Sequence, residues 1–240
     1  MTPKDIDRIL AQAANRSAPS DADSPAIARA KASLPGPLDP VRPIRPAWLF
    51  TTLFIAAFAV IALCGAWTFG IRGLPALSIV RRLVIFPVIL AAAGVAAVAS
   101  ARAMRPAGGT SISRTALAIG VLAPLAVFAL LFQDYNFQEF VPEGIRCLLA
   151  GLACAIPAAL LIFLLLRRGF ILDYRAAGLA AGTLAGLAGI GMLELHCPIL
   201  KAPHIMFWHV AVVWISGIGG WVVGWIVQMK LSRDQRERPS

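Results

Sequence analysis

The stretch that decides the fold is 176–193, AAGLAAGTLAGLAGIGML, an uncharged run of small and apolar residues. The core of a bilayer is about 30 Å thick and takes about 20 apolar residues in helical form. Gly178, Gly182 and Gly186 recur every four residues in this run, and small residues at such a spacing let membrane helices approach closely. We therefore predict a membrane-spanning helix that packs at the centre of a helix bundle.

Five other segments have the length and apolarity of a membrane span. Together with the first, the predicted spans are 47–69, 83–101, 116–132, 145–166, 176–193 and 205–227. The composition agrees, since 59% of the residues are hydrophobic and 14% are charged, against about 45–50% and about 25% in soluble domains. The predicted fold class is an all-α integral membrane protein, a six-transmembrane-helix bundle over 47–228 with a short, largely disordered cytoplasmic N-terminal tail.

The net charge of +10 follows the predicted topology. A nucleic-acid binder gathers its basic residues on one exposed face, whereas here they lie in the tails and in alternate loops. Of the 22 Lys and Arg, 17 fall on the side that carries both termini, including the basic tail over 229–240. The positive-inside rule then places both termini in the cytoplasm. We expect the lipid bilayer to be a partner and expect no direct contact with nucleic acid.

The start of the predicted cytoplasmic tail, 1–46, has the pattern of a short amphipathic helix over 3–14. Ile6, Ile9 and Leu10 share one face at helical spacing. An isolated helix of this length is marginal in water and needs a surface to lie on. It either anchors the tail on the membrane or fits a groove of a cytoplasmic partner.

The tail ends in a Pro-rich strip over 40–46, which directly precedes the first span. The strip opens with Pro40, Val41, Arg42 and Pro43. Proline fixes its own φ and has no backbone N–H, so the strip is too stiff to be helical. It is either a rigid spacer or an extended recognition strip.

All four cysteines fall in the half of the membrane opposite the tails. Cys147 opens the fourth predicted span and Cys197 follows the fifth, so both thiols lie at matching depth near the outer boundary. Cys64 and Cys154 lie deeper, and we expect them to be small buried apolar residues. The pair near the boundary is the candidate for chemistry.

The three histidines of the chain lie close to Cys197 in the sequence. Glu194, His196, His204 and His209 surround it. His and Cys are the usual ligands of Zn and Cu, so Cys197, His196 and His204 are candidate metal ligands within a wider polar site. The alternative is that the histidines hydrogen-bond between helices. The spacing matches no strong zinc motif, and we expect at most a transient Zn, Cu or other heavy-metal ion and no firmly bound cofactor.

No enzyme signature is present in the sequence, so we expect a protein that is not an enzyme. A membrane thiol oxidoreductase would normally carry a Cys-x-x-Cys pair, which this chain lacks. A small membrane metal or solute transporter is suggested by the outer Cys and His residues. The predicted spans contain no acidic residue, which argues against proton-coupled transport.

Several of these pieces together resemble the NrsF-like membrane anti-sigma factors. The residues that carry the resemblance lie mainly in the C-terminal half: Gly144-Ile145-Arg146-Cys147, Gly151-Leu152, Pro157, Arg167-Arg168, Ala177-Gly178, Gly182, Gly186, His196-Cys197-Pro198, His204 and Trp208-His209. The Pro-rich strip before the first span and Arg105-Pro106 match as well.

The resemblance implies a six-span, multi-pass protein of the bacterial inner membrane. It implies that the cytoplasmic tail sequesters an extracytoplasmic-function sigma factor. It also implies that Cys147 and Cys197 take part in sensing heavy-metal or oxidative stress. Within the tail, Ile6, Ile9 and Leu10 and the strip are the expected sigma-binding residues.

Overall fold

Six long helices build the protein. The computed structural model describes residue 32 and the ranges 46–105 and 111–236. The helices are α1 (Ala47–Phe69), α2 (Ile79–Ala103), α3 (Ser111–Leu131), α4 (Phe140–Leu166), α5 (Tyr174–His196) and α6 (Val210–Arg236). Each is long and apolar enough to cross a membrane, α6 together with the two short segments before it. Over the described ranges there is no strand, and the predicted all-helical class with six spans is confirmed.

The chain divides into two compact units, Met1–Pro43 and Ile44–Ser240. The predictions made for the tail lie outside the described residues. They comprise the helix over 3–14 with Ile6, Ile9 and Leu10, and the strip residues Pro40, Val41, Arg42 and Pro43.

The helices extend beyond the apolar runs that the sequence marks out. α4 begins at Phe140 and α5 continues to His196, so Glu143 and Glu194 lie inside helices that span the membrane. The expectation of spans without acidic residues is therefore wrong for these helices. Hydropathy detects only the apolar middle of a span, and the helix continues where polar side chains find partners within the protein.

α5 is the central helix of the bundle. In the most apolar 18 residues of α5, 83% of the residues are buried, against 28–44% in the corresponding stretches of the other five spans. Leu184, Leu187 and Ile190 are fully enclosed, whereas the other helices each expose a broad apolar face. The prediction of a central packing helix is confirmed, and the exposed faces of the surrounding helices are suited to lipid.

Glycines set the distance between α5 and α6. A Cβ atom at Gly178 would collide with the carbonyl oxygen of Gly220, and one at Gly182 would collide with that of Ser216. A Cβ atom at Gly186 would lie 2.6 Å from the Cα of Val213. The two backbones therefore touch along successive turns, which is the contact that small residues at four-residue spacing allow in a membrane.

The same helix approaches α4 on another side. A Cβ atom at Gly189 would lie 2.7 Å from the carbonyl oxygen of Gly151. Because glycines of α5 meet backbone atoms on both α4 and α6, the three helices form one closely packed unit. The site described below lies at one end of this unit.

Hydrogen bonds and ring contacts join the helix ends at the side where α5 finishes. The N–H of Ala202 donates to the carbonyl of Asp134 at 2.7 Å, which ties the segment before α6 to the loop after α3. The Arg81 guanidinium lies 4.6 Å from the centre of the Phe132 ring and connects the start of α2 with the end of α3. We call this side the cysteine end, because Cys197 lies there.

The opposite end of the bundle is joined in a similar way. The N–H of Phe170 donates to the carbonyl of Met104 at 3.1 Å, which links the loops after α2 and α4. A Cβ atom at Gly224 in α6 would collide with the carbonyl of Tyr174, the first residue of α5. The close contact of α5 and α6 thus extends from Tyr174 to Gly186 on α5 and from Val213 to Gly224 on α6.

The glycine contacts predict a specific loss of stability. In Gly182→Ala the new methyl group meets the Ser216 carbonyl and lies 3.1 Å from the Cα of Gly217, so the backbones must separate. We expect the free energy of unfolding in detergent to fall by about 1–3 kcal/mol. Denaturant unfolding followed by circular dichroism measures this change.

Gly219→Ala is the matched control, because a Cβ atom at Gly219 has no neighbour within 4 Å. Alanine is favoured over glycine inside a helix by about 0.5–1 kcal/mol, so this variant should be neutral or slightly more stable. Equal losses in the two variants would contradict the proposed role of the close contact.

Candidate functional site

Four buried side chains meet at the cysteine end: Cys147, Cys197, His204 and His209. One sulfur or ring nitrogen from each lies within 4.8 Å of those of the other three. All four residues are less than a tenth exposed. We call this group the Cys–His cluster.

The two thiols of the cluster are in contact. The Cys147 and Cys197 sulfurs are 3.5 Å apart, and the Cys197 sulfur is also 3.5 Å from Nε2 of His204. The rings of His204 and His209 pack edge to face with their centres 5.3 Å apart. The sequence prediction that Cys147 and Cys197 lie at matching depth therefore corresponds to direct contact between the two thiols.

The members of the cluster come from three different parts of the packed unit. Cys147 lies in the third turn of α4, and Cys197 is the residue at which α5 ends. The two histidines precede α6, where a helical turn (Ala202–His204) continues into a π-helical segment (Ile205–His209). The cluster thus depends on the positions of three helices at once.

The π-helical segment explains why both histidines reach the cluster. In an α-helix, residues five apart point in directions about 140° apart, so His204 and His209 would diverge. The wider π-helical turn pairs residues five apart in its hydrogen-bond pattern and brings them toward the same face. The two rings consequently contact each other on the side that faces the thiols.

Glu194 supports His209 from behind. Its carboxylate oxygen lies 2.7 Å from Nδ1 of His209, and the two side chains are 3% and 1% exposed. Nε2 of His209 is buried and has no hydrogen-bond partner among the described residues, and the same holds for Nδ1 of His204. A buried polar atom without a partner lowers the stability of the folded protein by about 1–3 kcal/mol. A bound ligand at Nε2 of His209 would remove that cost for this atom.

Two neighbours close the site from the sides. The backbone of Gly73, in a short helical turn (Gly73–Ala76), packs against the backbone of Glu194 and Cys197, where a Cβ atom would collide. The Trp208 indole packs directly on Gly144 of α4. Glycine at these two positions lets a backbone contact enclose the site at Gly73 and the Trp208 indole enclose it at Gly144.

His196 lies outside the cluster. Its Nδ1 is 2.8 Å from the carbonyl oxygen of Gly70, and its ring contacts that of Phe69. This contact joins α5 to the end of α1. It agrees with the alternative expectation from the sequence, that the histidines hydrogen-bond between helices. The structure therefore groups Cys197 and His204 with Cys147 and His209, and it places the third candidate ligand, His196, elsewhere.

The other two cysteines have different surroundings. Cys154 is buried, and its thiol donates to the carbonyl of Ile61 at 3.6 Å, as a structural cysteine does. Cys64 is exposed on the outside of α1, so the expectation that it is buried is wrong. The helical phase of α1 turns Cys64 away from α5, whereas Ala62 and Ala66 face inward.

The cluster supports two kinds of chemistry. The contact with Cys147, together with burial, raises the pKa of the Cys197 thiol. Two thiols in contact can form a disulfide when an oxidant removes two electrons and two protons. Two sulfurs and two ring nitrogens can also hold a metal ion.

No sequence pattern pairs Cys147 with the histidines, and the sequence groups Glu194 with His209 in one polar site without predicting their direct hydrogen bond. These pairs are separated by 50 or more residues along the chain in the first case and by 15 in the second. No periodicity relates such positions before the packing is known. A weak signal was present in the five-residue spacing of His204 and His209, which suits a π-helical turn.

Comparison with protein families gives one match. The model of a family described as NrsF, negative regulator of sigma F, matches residues 34–228. This range is most of the chain and contains the whole Cys–His cluster. No curated protein and no solved structure matches the chain.

The thiol contact predicts selective disulfide formation. With metal ions removed by a chelator, diamide should accept two electrons and two protons from the pair and join Cys147 to Cys197. A disulfide is about 2.05 Å long, so the sulfurs need to move little from their separation of 3.5 Å. Mass spectrometry of an unreduced digest identifies the linked peptides.

Cys154→Ser should cross-link as the unchanged protein does, whereas Cys147→Ser should not. If Cys147 and Cys197 both remain free to react with a maleimide after diamide treatment, the described geometry of the pair is contradicted.

Proposed function

Because the chain belongs to the NrsF family of negative regulators of a sigma factor, we propose that it is a membrane-bound anti-sigma factor for an extracytoplasmic-function sigma factor. It lies in the bacterial inner membrane with both termini in the cytoplasm. Its residues 1–46 sequester the sigma factor and so keep it from RNA polymerase. The protein acts by binding and conformational change and is not an enzyme.

The family match carries this proposal, and the charge distribution supports the orientation. The matched range begins at residue 34, so it includes the strip over 40–46 as well as the helices. The helix ends and loops at the end opposite Cys197 carry five arginines, Arg102, Arg105, Arg167, Arg168 and Arg175. A bacterial inner membrane retains such basic loops on the cytoplasmic side.

The signal enters at the other end of the bundle. We propose that Cys147 and Cys197 respond to a heavy metal or to an oxidant and thereby start a stress response. Support comes from their contact at 3.5 Å and from their burial beside two histidines. A change in this contact moves the start of α4 relative to the end of α5.

The packed unit of α4, α5 and α6 transmits that movement. Backbone contacts at Gly189, Gly182 and Gly178 follow one another from the cysteine end toward the opposite end of α5. Helices in such contact shift as bodies, since no flexible side chain lies between them to absorb a displacement. A tenfold loss of affinity for the sigma factor requires a change of only about 1.4 kcal/mol in binding free energy, within the usual range of allosteric coupling.

Replacing the tail tests the sigma-binding half of the proposal. In the test variant, a Gly/Ser segment that carries the same seven basic residues replaces residues 1–46. The basic residues that set the orientation in the membrane are thereby kept. We expect the variant to insert in the membrane and to lose the sigma factor, because the apolar residues of the helix and the prolines of the strip are gone. Co-purification from solubilised membranes, with the sigma factor identified by mass spectrometry, measures the loss.

Retention of the sigma factor by that variant would show that the tail is not the binding segment. The matched control replaces only residues 237–240, and it should bind the sigma factor as the unchanged protein does.

Replacing the thiols tests the sensing half. In the unchanged protein, Cd²⁺ or hydrogen peroxide should weaken sigma binding by about tenfold, a shift of about 1.4 kcal/mol. Cys147→Ser and Cys197→Ser should each hold the sigma factor without responding, because neither can complete the thiol pair. Surface-immobilised sigma factor and detergent-solubilised protein provide the binding measurement.

Cys154→Ser removes a buried thiol of the same helix that lies outside the pair, so it should respond normally. A normal response in Cys147→Ser would refute the sensing role of the pair.

A further inference from the structure

We propose that the Cys–His cluster is a four-ligand site for a divalent d¹⁰ cation, Zn²⁺ or its heavier congener Cd²⁺. The ligands are the sulfurs of Cys147 and Cys197 and one ring nitrogen each of His204 and His209. Glu194 orients His209 without touching the ion. The use of this ion as the input signal rests on the proposed function, whereas the binding itself does not.

The type and number of donors match such an ion. Two sulfurs and two imidazoles form the S₂N₂ set that tetrahedral zinc sites use. The four residues are buried, and an uncharged complex suits a buried site. One divalent ion with two thiolates is neutral, and the two thiol protons leave to solvent when the ion binds.

The distances also match. With metal–sulfur bonds of 2.3 Å and metal–nitrogen bonds near 2.0–2.1 Å, the edges of the tetrahedron are about 3.8 Å between sulfurs and about 3.6 Å between sulfur and nitrogen. The structure has 3.5 Å between the two sulfurs and 3.5 Å between the Cys197 sulfur and His204 Nε2. These two edges are close to those of the tetrahedron, and all four donors lie within 4.8 Å of one another.

Independent support comes from the hydrogen bonding of His209, a member of the cluster. Nδ1 of His209 is taken by Glu194, which leaves Nε2 for an ion, and this atom is buried without a partner among the described residues. A metal-bound histidine typically has its other ring nitrogen held by a carboxylate in this way. The pair with Glu194 therefore has the arrangement of a ligand and its supporting residue.

The ion and the disulfide exclude each other. A disulfide uses the two sulfurs and leaves only the histidines, so oxidation expels the ion. The ion joins α4, the end of α5 and the segment before α6, whereas the disulfide joins only the first two. The metal-bound form and the disulfide form therefore hold the same three helices together in different ways.

Absorption spectroscopy with Co²⁺ as a stand-in for zinc tests the proposal on the full chain in detergent. We expect one Co²⁺ per chain, with the intense visible bands of a tetrahedral ion and sulfur-to-metal charge transfer. Zn²⁺ and Cd²⁺ should displace Co²⁺, and Mg²⁺ should not. Weak bands typical of octahedral Co²⁺ would overturn the proposal.

Single substitutions test the ligand set. His204→Gln and His209→Gln should each weaken Cd²⁺ binding by more than tenfold, whereas His196→Gln should bind as the unchanged protein does. Glu194→Gln should keep the tetrahedral spectrum and lose about 10–100-fold in affinity. If the two ligand histidines can be replaced without loss of affinity, they are not ligands.

A measurement on the unchanged protein guards against misfolded variants. Bound Zn²⁺ should slow the reaction of Cys147 and Cys197 with maleimide by at least tenfold and leave Cys64 unaffected. Equal rates with and without Zn²⁺ would overturn the site. If Zn²⁺ protects the thiols while sigma binding is unchanged, the site stands and the proposed signalling role fails.

Discussion

The contact of the α5 backbone with α6 and α4 is the constraint on which the rest of the structure depends. Carbonyl oxygens of α6 lie where the side chains of Gly178 and Gly182 would be, so the helices can approach no further and cannot slide without a collision. This approach fixes the end of α5 against the start of α6. Cys197 and the two histidines of the cluster are thereby placed within reach of Cys147.

The cluster concentrates polar chemistry in an otherwise apolar interior. Glu194, His204 and His209 are among the few buried polar side chains of the described residues, and Glu194 and His209 pair with each other. A buried polar group is retained at a cost in stability. Two oxidisable sulfurs beside two imidazoles at the cysteine end, together with the proposed sigma-binding tail, are the parts a transmembrane regulator requires.

The repeating features of the sequence predicted most of the fold. Six apolar runs specify six spans, and the glycine period specifies the central helix, because both are local patterns that the bilayer imposes. The cluster was predicted only in part. Equal depth suggested the pairing of Cys147 with Cys197, but a change of helical phase at Ile205–His209 decides which histidines join them. The apolar run did not predict that Glu194 lies within the helix, because Glu194 directly follows the end of that run.

The π-helical segment has a consequence for how the chain tolerates insertions and deletions. It holds one residue more per turn than the helix that follows, and so it offsets the phase of the histidines from that of Ser216 and Gly220 on α6. Removing one residue within it would leave an α-helix in which the two histidines are four residues apart, with directions about 40° apart, and so still on one face. Removing one between His209 and Ser216 would instead rotate the histidines by about 100° relative to the glycine face, so that either the ligands would leave the thiols or the glycine face would leave α5. The length of the stretch between His209 and Ser216 is therefore constrained to the residue, independently of which side chains it carries.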